Sequence, residues 1–274
     1  MKDISAVPQA CLNFSDLTLG YDQHPAVHHL SGEVAKGSLL AVVGGNGSGK
    51  STLMKGIAGL LRPMGGACSV TAGTRLAYLP QRSELDHTFP ARVIDLVSLG
   101  LWPRRGLLGR HRPEDRQAVS RALVSVGLES FEKRAIDTLS GGQLQRALFA
   151  RVLVQDADLI LLDEPFNAVD EQTIVDLIGL IKVWHGEGRT VMVVVHDLDL
   201  VREHFPEALL LARRPVAWGA SRQTLSAENL QIARRYREAW NENAPWCGNE
   251  MSADLDHGHH DHVHHPEPAR AGAL

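Results

Sequence analysis

Val43-Gly44-Gly45-Asn46-Gly47-Ser48-Gly49-Lys50-Ser51-Thr52 decides how this chain is read. Gly44, Gly49, Lys50 and Ser51 complete the phosphate-loop pattern Gly-x-x-x-x-Gly-Lys-[Ser/Thr]. Glycines open backbone conformations closed to other residues, so successive N–H groups can turn inward around phosphate oxygens. In this pattern the lysine reaches the β- and γ-phosphates, and the hydroxyl after it coordinates Mg²⁺. The flanks agree: the apolar run Leu39–Val43 precedes the loop, and residues 53–60 follow with helical character. The loop would therefore lead into a helix N-terminus, which favours anions. A chance glycine-rich turn would not need strand, loop and helix in that order. The stretch predicts a nucleotide-binding α/β chain.

The whole chain sets limits. Its 274 residues allow one large or two small domains with ample apolar material for a core. A formal net charge of −4, with 22% charged residues, lacks the basic excess of a generic nucleic-acid binder, so no nucleic-acid partner is expected. Cys11, Cys68 and Cys247 lie far apart and form no Cys-x-x-Cys pair, which favours a reducing compartment without a disulfide framework. The opening Met1-Lys2-Asp3-Ile4-Ser5 has no apolar signal-peptide core, and no window approaches about 18 uninterrupted apolar residues. The expectation is a soluble cytosolic chain whose membrane role, if any, runs through a partner.

Upstream of the loop, Leu12, Phe14, Leu17 and Leu19 alternate roughly with polar residues, and Gly20 and Gly32 punctuate them, predicting short strands over 11–43. Tyr21 closes the first. By position alone it reads as ordinary packing, with stacking on a purine as the sharper alternative. Downstream, Arg62-Pro63-Met64-Gly65-Gly66 is a turn cluster before a strand-rich piece that Pro80-Gln81 ends. From 90 to 126 the pattern turns helical: Val93, Leu96 and Val97 share a face, and Pro113-Glu114-Asp115 makes a good helix start. Trp102-Pro103-Arg104-Arg105-Gly106 reads as a basic, solvated turn.

Leu139-Ser140-Gly141-Gly142-Gln143 opens another helix. Ser140 is a natural N-cap, and two glycines at a helix start let a ligand approach the backbone closely. Asp158-Leu159-Ile160-Leu161-Leu162-Asp163-Glu164 reads as a buried parallel strand that delivers two carboxylates at its C-terminal end, the edge where open α/β sheets bind ligands. One acid there would pass for a helix cap. Two, downstream of a phosphate loop, are better read as Mg²⁺ and water chemistry. A second buried strand over 190–195 ends in His196-Asp197, further short strands follow over 208–220, and 227–240 has helical periodicity with an arginine-rich face. After Trp246 the composition shifts. Residues 252–274 hold His257, His259, His260, His262, His264 and His265, are poor in large apolar residues, and are expected to be disordered without a ligand. Imidazoles at alternate positions with Asp254, Asp256 and Asp261 nearby suit Zn²⁺ or Ni²⁺, against the bland alternative of a solvated polar tail.

In this order and spacing the motifs resemble the nucleotide-binding subunit of ATP-binding-cassette (ABC) transporters, over roughly residues 10–235, with Leu139-Ser140-Gly141-Gly142-Gln143 as the most specific element. The resemblance implies an α/β phosphate-loop core with an antiparallel β subdomain and a helical signature subdomain over about 82–155. A nucleotide-binding domain would span 10–246, followed by the tail from 247 to 274. It implies that Tyr21 stacks on adenine and that Gly44, Gly45, Asn46, Gly47, Ser48, Gly49, Lys50, Ser51 and Thr52 form the Walker A loop. Gln81 would sense Mg²⁺ and the transporter partner, Asp163 would hold Mg²⁺, Glu164 would orient the attacking water, and His196 would contact the γ-phosphate. Asp170 falls in the D-loop, although Phe166-Asn167-Ala168-Val169-Asp170 departs from the commoner Thr-Ser-Ala-Leu-Asp. Ser140, Gly141, Gly142 and Gln143 of a second subunit would close the outer face of the phosphate. Each motif occurs once here, so the resemblance implies a homodimer, lying peripherally at the cytoplasmic face of the membrane. Its partners would be transmembrane permease subunits and an extracytoplasmic metal-binding protein.

Pro80-Gln81-Arg82-Ser83-Glu84-Leu85-Asp86, then Phe89-Pro90 and Val93-Ile94-Asp95-Leu96-Val97, is similar to the zinc and manganese uptake group of these ATPases, and the histidine-rich tail tilts the reading toward zinc import. Manganese, an iron chelate or cobalamin is the alternative cargo. A soluble cassette ATPase working on DNA or ribosomes is disfavoured, because the interval between Gln81 and Leu139 is short and no heptad run or second cassette is present. A non-enzymatic metal store leaves Glu164 beside Asp163 unexplained.

Overall fold

The apolar run that precedes the phosphate loop forms a central strand of a six-stranded sheet, and the run that follows it forms a helix. The computed structural model describes residues 9–22, 24–82, 90–106 and 112–238. Strands β1 (Ala10–Tyr21) and β2 (His24–Ala35) pair as an antiparallel hairpin, and β3 (Leu39–Val43) runs through the phosphate loop into α1 (Lys50–Ile57). Next come β4 (Gly65–Val70) and β5 (Leu76–Leu79). A helical section follows: α2 (Val93–Ser98), α3 (Trp102–Arg105), α4 (Pro113–Ser125) and α5 (Gly141–Gln155). The chain then alternates through β6 (Leu159–Leu162), α6 (Glu171–Gly186), β7 (Thr190–Val194), α7 (Leu198–His204) and β8 (Glu207–Ala212). It finishes with β9 (Arg214–Ala220), α8 (Ser221–Thr224) and α9 (Ala227–Glu238).

Two sheets result, one of order β2-β1-β4 and one of order β5-β6-β7-β3-β8-β9, in which only β9 runs antiparallel to its neighbour. The expected α/β core, antiparallel β section and helical section are all present. Side chains alternate across a strand, so a strand covered on both faces reads as one continuous apolar run. In β3, Leu39, Ala41 and Val43 join a core shared with α5, α6 and the helical section. Leu40 and Val42 point the other way, into a core with α1 and the β1–β2 hairpin. Strands β6, β7 and β8 divide in the same manner.

Two expectations are corrected. The short strands predicted over 11–43 include two twelve-residue strands. Register shifts flank Leu17, and Asp16 has φ 49°, so Leu17, Thr18 and Leu19 are buried in succession. Such bulges reset the alternation that sequence reading relies on. The basic turn at 102–106 is a helical turn whose arginines are paired internally: Arg105 bridges Asp115, and Arg104 bridges Asp156 at 2.9 Å and donates to the Gln155 carbonyl. Trp102, Pro103, Arg104 and Gly106 stay exposed, so the segment is solvated as expected, and only its helical form and its ion pairs differ from the reading.

Asp156 is the hub of a charge network that ties α3 to the starts of β5 and β7, since Arg75 and Arg189 also reach it. Arg75 donates through two nitrogens to Asp158 as well, which holds that carboxyl down at about 2. A depressed carboxylate stabilises the fold fully above its unfolded value of about 4 and loses that contribution as the pH falls toward its folded value. Both partners are more than 40% exposed, so solvent screening limits the effect to about 1 kcal/mol or less. Asp158→Asn should lower the thermal midpoint at neutral pH, and its difference from wild type should shrink as the pH falls below about 4.

Candidate nucleotide-hydrolysis site

The loop between β3 and α1 is held from both sides. A Cβ at Gly44 would lie 2.1 Å from the Leu211 carbonyl oxygen, and one at Gly49, whose φ is 94°, would lie 2.3 Å from that of Ala26. Only glycine fits these two positions. Arg213 ties the loop in place through its backbone, donating from N–H to the Ser48 carbonyl at 2.9 Å and accepting from the His28 N–H at 2.6 Å. Lys50 is 5% exposed, and its Nζ donates to the carbonyls of Gly44 at 3.0 Å and Gly45 at 2.9 Å. Burial pulls its pKa down, while Glu164 and Asp163 pull it up. The ammonium is thus parked on loop carbonyls, from which a phosphate can draw it.

Parallel pairing aligns the C-terminal ends of β5, β6 and β7 with the loop, and this brings side chains distant in sequence together. The Ser51 hydroxyl donates to Asp163 Oδ1 at 3.1 Å, and the Gln81 amide lies 3.2 Å from the same hydroxyl. Tyr78 reaches Asp163 Oδ2 at 3.4 Å. Asp163 is 1% exposed. A hydroxyl, a carboxylate and an amide that can turn its oxygen inward form a small set of hard oxygen donors. With room left for water and phosphate oxygens, that set fits Mg²⁺. A cavity of about 290 Å³ is lined by residues 46–52, Gln81 and Glu164.

Glu164 follows directly, in a left-handed conformation with φ 52°. His196, just past the neighbouring strand β7, places Nε2 2.6 Å from Glu164 Oε1. The buried strand run and its polar end were visible in the sequence; the pairing of these two side chains was not. Asn167, whose amide donates to Glu164 Oε2, carried no sequence signal beyond its departure from the commoner wording. Tyr78 and Arg213 were missed for a similar reason, since their roles depend on neighbours far away in the chain. A second cavity, of about 440 Å³, lies between residues 43–48, His196 and the α9 side chains Leu230, Ala233 and Arg234.

The remaining predicted residues fall elsewhere. Tyr21, about half exposed, ends β1 opposite His24 at the tip of the hairpin whose second strand meets Gly49. Ser140 and Gln143 form a reciprocal capping box: the Gln143 N–H donates to Ser140 Oγ at 3.2 Å, and the Ser140 N–H donates to Gln143 Oε1 at 3.1 Å. Asp170 caps α6 through the Thr173 N–H at 2.9 Å and hydroxyl at 2.8 Å, and those bonds lower its pKa. A Cβ at Gly142 would come within 2.8 Å of the Thr173 hydroxyl, and one at Gly141 within 3.0 Å of the Ala168 carbonyl. The signature glycines therefore have an internal packing role in addition to the ligand approach for which they were read. The tail histidines His257, His259, His260, His262, His264 and His265, and the Q-loop residues 83–89, lie outside the described residues.

An anion-binding loop with a buried lysine, facing an oxygen-donor cluster and a glutamate–histidine pair on one sheet edge, defines a nucleoside-triphosphate hydrolase of the phosphate-loop class. Comparison with known proteins narrows this. The ABC transporter family model matches residues 27–167. The manganese transport system ATP-binding protein MntB of Listeria innocua is 40% identical over 228 residues, covering 81% of this chain and 95% of that protein. The zinc transport system ATP-binding protein TroB of Treponema pallidum is 41% identical over 239 residues, covering 85% and 90%. Among solved structures, an inward-facing metal-chelate type ABC transporter superposes with a TM-score of 0.75 at 29% identity, covering 83% of this chain and 90% of that one. The chain belongs to the ABC transporter family and is an ATP-hydrolysing subunit of that family. Among the described residues no helix is long and apolar enough to cross a membrane.

Proposed function

We propose that this chain powers import of a divalent metal ion, zinc in the first place, as a homodimer of ATPase subunits on the cytoplasmic face of a membrane. It would dock on permease subunits supplied by an extracytoplasmic metal-binding protein. The observation that carries the reading is about 40% identity, over most of the chain, to ATPase subunits named for manganese and zinc transport. The histidine-rich tail favours zinc, and it would bind Zn²⁺ as a buffer or sensor beside the transporter. Manganese is the second reading, because relatives at the same identity carry that name.

Phosphoryl transfer to water is catalysed chiefly by positioning and by neutralising charge on the γ-phosphate. Tyr21 stacks on adenine, residues 44–52 wrap the phosphates, and Lys50 leaves its loop carbonyls for the β- and γ-phosphate oxygens. Ser51, Asp163 and Gln81 would hold Mg²⁺, which would supply neutralisation of charge on those oxygens. Glu164 orients and polarises the attacking water, and His196, now facing Glu164, turns to the γ-phosphate. Ser140, Gly141, Gly142 and Gln143 of the second subunit close the site, with Asp170 at the junction between subunits.

Affinity co-purification from gently solubilised native membranes tests the assembly: a polytopic membrane protein in two-to-two stoichiometry is expected, and ribosomal proteins or DNA without one would overturn the transport reading. Uptake of labelled Zn²⁺ and Mn²⁺ by cells carrying or lacking the chain then separates the cargoes. Deletion of 252–274 should weaken Zn²⁺ binding and zinc-dependent growth; no change in either would remove the tail from the proposal.

A further inference from the structure

We propose that Asn167 is a positioning residue that holds the Glu164 carboxylate in its working orientation. The inference rests on reading Glu164 as the group that orients water. Residues 164–168 make a tight reversal bracketed by two left-handed non-glycine residues, Glu164 with φ 52° and Ala168 with φ 56°. The reversal brings Asn167 back over Glu164: its N–H donates to the Glu164 carbonyl at 3.3 Å, and its Nδ2 lies 2.5 Å from Oε2. His196 Nε2 stands at Oε1, 2.6 Å away, so the two carboxylate oxygens are held by different partners. An ionised carboxylate only accepts hydrogen bonds, so the amide faces it through its NH₂ group.

A glutamate on a three-torsion stem visits many rotamers, and only those near this one point Oε1 toward His196 and the phosphate loop. Asn167 selects among them. It is itself exposed and does not line the cavity formed by residues 46–52, Gln81 and Glu164, so it acts through Glu164 rather than on the nucleotide. Exposure also means that truncating it opens no cavity in the core, which separates this role from a structural one.

The test is steady-state MgATP hydrolysis by the full-length chain carrying Asn167→Ala, Asn167→Asp, Asn167→Gln or Glu164→Gln. Losing a hydrogen bond to a charged group should lower kcat about tenfold in Asn167→Ala, with KM for ATP unchanged. Asn167→Asp is nearly isosteric but swaps the donor for a like charge, so it should fall below the alanine variant. Asn167→Gln keeps an amide donor on a longer arm and should recover part of the loss. Wild-type kcat in both Asn167→Ala and Asn167→Asp, or a loss borne by KM, would overturn the inference. Turnover surviving Glu164→Gln would instead overturn the role of Glu164 on which it rests.

Discussion

Replacing Glu164 with glutamine should abolish turnover while leaving ATP binding intact. The amide keeps the size of the side chain and can still face His196 and Asn167, but it cannot take up charge from an attacking water. A positioned base contributes on the order of 10²- to 10⁴-fold, so kcat should fall by at least about 10²-fold. Lys50, Ser51, Asp163 and the loop amides remain in place, so nucleotide affinity should change by no more than a few-fold. Binding without hydrolysis should accumulate an ATP-bound dimer, visible as a doubling of mass in size-exclusion chromatography with ATP and absent with ADP. Full turnover in the variant would assign the water to another group.

The largest effect on stability is expected at Trp184. Its indole is 1% exposed and stacks on Phe149, with ring centroids 5.6 Å apart and planes 18° from parallel. Phe149 belongs to α5, the helix that Ser140 and Gln143 begin, and Trp184 belongs to α6, the helix that Asp170 caps. Trp184→Ala should cost about 3–5 kcal/mol through lost burial and the cavity left behind. At about 2–4 °C per kcal/mol for a domain of this size, the thermal midpoint should fall by roughly 10 °C. The indole Nε1 is buried and has no hydrogen-bond partner among the described residues, so Trp184→Phe should cost much less. Equal losses in the two variants would mean that shape at this position matters more than ring stacking. Because the pair joins the signature helix to the D-loop helix, the alanine variant should also lose ATPase activity at temperatures where it is still folded.

Much of the site was legible because phosphate chemistry constrains residues close together in sequence. The loop glycines, Lys50 and Ser51 lie within one short stretch, and Asp163 and Glu164 follow one apolar strand, so local pattern was enough to mark them. The central sheet was legible for a related reason: strands buried on both faces read as unbroken apolar runs. Where backbone irregularity intervened, reading failed. Bulges in β1 hid its length, and the arginines at 104 and 105 gave no sign of Asp156 and Asp115, their partners. The glycines of the signature were understood only in part, since Thr173 and Ala168, against which they pack, come from a different element.

The sequence alone determined the class of chemistry, the main helical and strand segments and the motif residues proposed for the phosphates, because each depends on short-range spacing. The tertiary structure decided which of those residues meet. Parallel pairing of β5, β6, β7 and β3 sets the C-terminal strand ends side by side, so that Gln81, Ser51, Asp163, Glu164 and His196 converge from across the chain. The same folding turns Asn167 onto Glu164 and threads Arg213 between the phosphate loop and β2. Those are contacts between surfaces brought together by burial of the core, and no spacing within a single stretch encodes them.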